Sequence, residues 1–163
     1  MKKASILFVF IVTLFIYSCN QGAKKDPNTS ADSTSLVKTC YIAVFETDTA
    51  HLMTFADTSG KITGDLTMKY GEVQPNSLEK VINVGTIAGE FKGDTLFVDY
   101  THTSGSINKK GFKNPLAFLK VGENLVLGVG QIETHLGRSY FVKNKPIDFE
   151  IGRFKFVPVD CEK

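Results

Sequence analysis

The 163-residue chain sets 19 Lys and Arg against 17 Asp and Glu, and it contains no Trp, 13 Phe and 14 Gly. That length supports one compact domain, and the abundance of Phe, Val, Ile, Leu and Thr favours strands over helices. A net formal charge of only +2 gives no basis for nucleic-acid binding or for broad electrostatic attraction to a membrane.

The chain opens on Lys2 and Lys3, an apolar run over residues 6–17, then Ser18-Cys19. A charged start followed by a short apolar core has the make-up of a signal peptide. As a helix the run spans roughly 18 Å against roughly 30 Å of hydrocarbon, too short for a good membrane span. Ser18 before Cys19 resembles a bacterial lipobox, which implies that Cys19 is lipidated and becomes the first residue. Tyr17 departs from that pattern and leaves cleavage by ordinary signal peptidase as the competing reading. Removing residues 1–18 takes two lysines and no acidic residue, so 145 residues remain with 17 basic and 17 acidic groups. The positive balance belongs to the leader.

Residues 20–37 are rich in Ser, Thr, Asp and Asn and cannot bury enough apolar area to offset ordering, so they read as a flexible tether. The predicted plan is a signal peptide over 1–18, a lipidated Cys and tether over 19–38, and a folded domain over 39–163. From Cys40 the pattern has period two. Apolar runs cover residues 41–46 and 51–56, and Asp57-Thr58-Ser59-Gly60 is a turn. Ile62, Gly64, Leu66, Met68 and Tyr70 then alternate with Thr63, Asp65, Thr67 and Lys69. A polar stretch follows through Pro75, Asn76 and Asn83, where residues 77–82 offer one helical turn at most. Ile87 and Phe91 share a face with Gly89, and Gly93-Asp94 closes a hairpin into Leu96, Val98 and Tyr100. Pro115 opens a run over 116–121, which Gly122-Glu123-Asn124 turns into a strand over 125–132. The last strand covers 154–159 and ends at Asp160-Cys161.

About eight short strands at hairpin spacing, with no helical crossover, predict an all-β fold: a single small antiparallel β-barrel. Gly64 and Gly89 on apolar faces, and Gly128 and Gly130 on one face, support closure, since such glycines let a strand coil or a neighbour approach. With Cys19 assigned to the anchor, Cys40 and Cys161 are left at the first and last strands. In an exported protein they are expected to pair as a disulfide; two buried thiols are the alternative. Neither has the neighbouring ligand spacing of a metal site.

The three histidines, His51, His102 and His135, lie on different elements, and no HxH, HExxH or CxxC occurs. His51 is in phase with Met53 and Phe55, and His102 with Tyr100, Val98 and Leu96, so both are expected to point inward. Tyr100 and His102 are therefore candidates to face a ligand in a barrel cavity; a hydrogen-bonded core or rim histidine is the bland reading. Asp65, Glu90, Asp94 and Asp99 form no evident acid–base pair, and no GxSxG occurs. Residues 137–141 read as an irregular segment. There Arg138, between Gly137 and Ser139 and beside two aromatics, is a third binding candidate for an anion or a carboxylate; capping a barrel end is its alternative. Phe112 and Phe141, read as loop residues, are candidates for a binding patch. The residues point to no cofactor, metal or catalytic group.

The stretches Gly89-Glu-Phe-Lys-Gly-Asp-Thr-Leu-Phe-Val-Asp-Tyr100, Asn114-Pro-Leu-Ala-Phe-Leu119 and Gly137-Arg-Ser-Tyr-Phe141 resemble a group of uncharacterised Bacteroidota envelope lipoproteins. The resemblance runs from Cys40 to Cys161 and implies origin and location rather than activity. In size and pattern the domain is also similar to small envelope barrels of the META and NlpE kind, although the metal-binding CxxC of the NlpE type is missing. The expected protein is a lipid-anchored, non-catalytic module in a Gram-negative envelope. It would take a small apolar ligand in the barrel or an envelope protein at its open end, and would bind no nucleic acid. The alternatives are a structural or stress-related envelope protein without a small ligand, and an enzyme built around His102. Asn20 after the cysteine, without an acidic run, favours the periplasmic side of the outer membrane over the cell surface.

Overall fold

Alternation of apolar and polar side chains is clearest over residues 61–68, where exposed or half-exposed positions take turns with buried ones. The computed structural model describes residues 36–73, 79–105, 107 and 109–161; the expected leader, Cys19 and the expected tether as far as residue 35 lie outside the described residues. The strands are β1 (Val37–Phe45), β2 (Asp48–Ala56), β3 (Lys61–Val73), β4 (Lys80–Lys92), β5 (Thr95–Ser104), β6 (Lys110–Val121), β7 (Asn124–Leu127), β8 (Val129–Gly130), β9 (Ile132–His135), β10 (Arg138–Phe141), β11 (Ile147–Asp148) and β12 (Lys155–Val159). Eight of them close an antiparallel barrel in the order β1-β12-β7-β6-β5-β4-β3-β2. These are the eight runs read from the sequence. The first seven strands are linked by hairpins and follow chain order, and β12 closes the wall by inserting between β1 and β7.

Inward positions carry the core: Ala50 and Leu52 on β2, Leu66 and Met68 on β3, Ile87 on β4, Leu96, Val98 and Tyr100 on β5, Phe118 on β6, Leu125 on β7 and Phe156 on β12. Gly89 is required by close approach. A Cβ there would fall inside the carbonyl oxygen of Phe97 and 2.7 Å from the Cα of Val98, so glycine alone lets β4 coil tightly against β5. The tight turns follow their chemistry. Asp57 Oδ1 accepts from the Ser59 N–H at 2.8 Å, the Ser59 hydroxyl at 2.7 Å and the Lys61 N–H at 3.0 Å. Those bonds, the Ser59 hydroxyl above all, hold its carboxyl below the usual range. Gly93 (φ 61°) and Gly122 (φ 63°) each stand first in a two-residue hairpin loop, the place that a type II′ turn reserves for glycine.

The expected strand over 125–132 is broken. β7 ends at Leu127, and the chain leaves the barrel to make two small ladders, β8 with β11 and β9 with β10, before it returns as β12. Gly128 and Gly130 do permit close approach, but by the excursion itself: a Cβ at Gly128 would meet Phe149 at 2.6 Å, and one at Gly130 would meet Phe141 at 2.7 Å. The segment 137–141 is regular rather than irregular, because Arg138–Phe141 forms a strand of the β9–β10 hairpin. Phe112 and Phe141 both lie in strands, β6 and β10, and not in loops. Residues 80–82 open β4 instead of making a helical turn, and residues 77–78 lie outside the described residues.

The closing seam is short. β12 meets β1 through Cys40↔Val159, Tyr41↔Pro158 and Ile42↔Val157, and β7 through Lys155↔Val126 and Phe156↔Leu125. The Cys40–Cys161 disulfide spans this seam with a Cα–Cα distance of 5.2 Å. Because β7 pairs with β6 only over Phe118–Val121, residues 110–116 of β6 are laddered to β5 alone, and β10 packs alongside β6 without a ladder.

Candidate functional site

β5 places Tyr100 and His102 two residues apart on the inner face of the barrel. Both side chains are buried, and His102 is 7% exposed. Their rings stack at 4.2 Å and 10°. Across the β5–β6 ladder, where His102 pairs with Phe112, the imidazole also stacks on Phe112 at 5.5 Å and 25°. The result is a row of three rings, of which Phe112, 46% exposed, is the outermost plate.

The polar atoms of this row turn inward to backbone. The Tyr100 hydroxyl donates to the Leu66 carbonyl at 2.9 Å. Burial, with Tyr70 nearby as a lesser cause, pushes the phenol far above its ordinary pKa. It remains a neutral donor throughout the physiological range. His102 Nδ1 lies 3.5 Å from the Tyr100 carbonyl. Burial lowers the imidazole pKa, and the weak bond to that carbonyl opposes the shift only in part. Asn83 sits on the same inner face of β4, paired with Ser104, and its buried Oδ1 has no hydrogen-bond partner among the described residues. Near the β1–β2 turn, Asp48 Oδ1 accepts the Gly71 N–H at 2.9 Å.

A pH prediction follows from His102. Its folded pKa lies below the unfolded value of about 6.5. The folded state therefore binds fewer protons than the unfolded state in the window below ~6.5. The associated stability is fully present above that window and is lost as pH falls through it. Urea unfolding of the wild type at successive pH values is expected to show this loss, and His102→Phe is expected to have a shallower slope there. Equal slopes would remove His102 as the titrating group.

The other candidates stand apart. His51 points outward and is exposed, because the inner face of β2 is carried by Ala50, Leu52 and Thr54. This corrects the inward placement read from its phase with Met53 and Phe55. Arg138 is exposed on the β9–β10 hairpin, paired in register with His135, and no contact joins it to Tyr100 or His102 among the described residues. Asp99 is ion-paired with Lys113 at 2.9 Å on the half-exposed outer wall. No three His, Cys, Asp or Glu side chains converge as metal ligands among the described residues.

Grooves lie mainly along the outer wall. One of about 580 Å³ runs beside Lys61, Glu90, Phe97, Asp99 and Phe141. Another of about 430 Å³ follows Tyr41, His51, Met53 and Asp65 to Cys40. Sequence reasoning missed the β9–β10 hairpin, whose Leu136 is 89% exposed at the tip. Phe141, at the hairpin base, packs edge-on against Phe97 at 6.5 Å. No family model matches the chain, and neither the curated proteins nor the solved structures yield a match.

Proposed function

We propose that this chain is a lipid-anchored protein of the bacterial cell envelope, held through Cys19, whose barrel is a non-catalytic module that docks an envelope protein. The observation that carries the reading is the filled interior. Phe118, Phe156, Leu52, Leu66, Ile87 and Leu96 are the largest fully buried side chains, and all of them project into the barrel. A small-ligand carrier needs a concave, preformed space. Here the space is taken up by side chains, and the open grooves face outward, where a protein surface can reach them. His102 lies between two aromatic rings without an ion-paired carboxylate among the described residues, an arrangement that supports packing rather than acid–base work.

Two experiments test this reading. Cys19→Ser is expected to move the protein from the membrane to the soluble fraction and to remove the acyl mass from the mature N-terminus. An unchanged fractionation and mass would reject the anchor. A photo-crosslinking residue at Tyr140 or Val44, both exposed, should give a protein adduct in intact host cells. Native mass spectrometry of the host-purified protein should show no retained small molecule. A retained ligand with no protein adduct overturns the docking module.

A further inference from the structure

We propose that the outer face of the β9–β10 hairpin, with Leu136 at its tip, is the docking surface of this protein, and that it fits an apolar pocket rimmed by carboxylates on a partner protein. The register pairs Arg138 with His135 and Tyr140 with Glu133, so these four side chains share one face of the hairpin. All four are exposed. The opposite face leans on the barrel: Ser139 and Phe141 are half-buried, and the Phe141 ring meets Phe97 edge-on at 6.5 Å. β10 also packs alongside β6. The Val142 N–H donates to the Gln131 carbonyl at 2.8 Å, which extends the ladder past the strand ends. The hairpin is thus held at its base and presents a preformed surface, which lowers the ordering cost of binding.

Two features of this hairpin cost the free protein and suit a bound state. Leu136 is 89% exposed at φ 50°, a left-handed conformation that is costly for a residue with a Cβ. The position favours Asn or Asp, either of which would be relaxed and soluble there. Backbone strain of this kind gathers at binding sites, and here it coincides with an apolar side chain held out in water. Arg138, beyond Gly137, has no ion-pair partner among the described residues, and His135 opposite it supplies no counter-charge. Glu133 stands one pair further from the tip, against Tyr140. Charge and shape name the occupant. A projecting leucine fills a concave apolar pocket, and the guanidinium near it takes a carboxylate of the rim as a forked pair. Tyr and Arg are also the side chains on which protein interfaces most often depend. A second copy of this face offers another projecting tip and no pocket to receive it. A bilayer would meet the tip alone, whereas a protein surface covers the row from Leu136 to Tyr140.

The inference rests on the docking-module reading, and its test separates the two. Leu136→Asn relieves the strained turn, so it is expected to raise Tm by about 2–5 °C. A lower Tm would show that the leucine serves the fold, and overturns the proposal. A photo-crosslinking residue in place of Glu133, in intact host cells, is expected to give a protein adduct. Its yield should fall at least ~tenfold with Leu136→Asn and with Arg138→Glu. An adduct undiminished by both substitutions, or one from Val44 with none from Glu133, overturns the docking surface and leaves the docking module standing. A lipid adduct alone, or no adduct from either position, overturns both.

Discussion

Phe118→Ala is expected to lower the unfolding free energy by about 3–5 kcal/mol, and Phe156→Ala by a similar amount, measured by urea denaturation. Each ring is 0% exposed, and the pair meets edge-on at 5.6 Å and 77° across the barrel interior. Phe156 also packs on Phe154 at 6.1 Å, which in turn meets Tyr70 at 6.5 Å. Truncating either ring removes its transfer free energy and leaves a void that rigid strands cannot collapse around. The double variant should cost less than the sum of the singles, because the two losses share one cavity. Phe112→Ala is the contrast: its ring is 46% exposed at the rim, so it should cost well under half as much. The result bears on function as well as stability. A cost below ~1 kcal/mol for Phe118→Ala would mean that the interior is loose, and would restore a ligand cavity as the working reading.

The barrel was most legible where a strand announces itself twice, once by alternation and once by the residue that ends it. Ile62 to Tyr70 alternates without a fault, and Asp57 and Gly60 mark the turn before it. The excursion after β7 was not legible, and Leu136 shows why. In the β9–β10 loop both Leu136 (φ 50°) and Gly137 (φ 75°) are left-handed, the geometry of a type I′ turn, which normally draws Asn or Asp at its first position. A leucine there gives no turn signal, and the flanking strands are too short for alternation to register. The break at Gly128 was hidden likewise, since Leu125 to Ile132 reads as one apolar run until the packing of Phe149 and Phe141 onto its glycines is known.

The candidate site divides along the same line. Strand phase placed Tyr100 and His102 inward correctly, because Leu96 and Val98 set an unambiguous apolar face. The same reasoning fails for His51: its phase with Met53 and Phe55 points it inward, whereas Ala50, Leu52 and Thr54 are the buried set. Small inward residues at Ala50 and Thr54 sit where the barrel is crowded, and larger apolar side chains were left on the outer wall. No sequence pattern reveals that β7 stops short and that β10 packs beside β6 instead of a further ladder, because that depends on where the chain departs from the barrel.

Reduction of the Cys40–Cys161 disulfide, or Cys161→Ser, is expected to produce the second large loss. The bond joins residues 121 apart in sequence, and constraining an unfolded chain over such a loop is worth about 5 kcal/mol in the chain-entropy account, with measured losses commonly about 2–5. For a domain of this size that corresponds to a fall in Tm of roughly 8–20 °C. The bond matters more here than its loop length alone implies, because it lies where backbone pairing is thinnest. β12 makes three register pairs with β1 and two with β7, yet it carries Phe156 into the core. Without the clasp, local opening should begin at β12, so hydrogen exchange at residues 155–159 should accelerate before exchange in β3 or β4. Cys40→Ser, Cys161→Ser and reduced wild type should coincide in Tm, since each removes the same constraint, while Cys19→Ser should leave Tm unchanged. Uniform acceleration across the barrel would show that the strand is held by packing alone. A reducing compartment would then tolerate the protein, which is the opposite of what a domain closed by a seam of this kind requires.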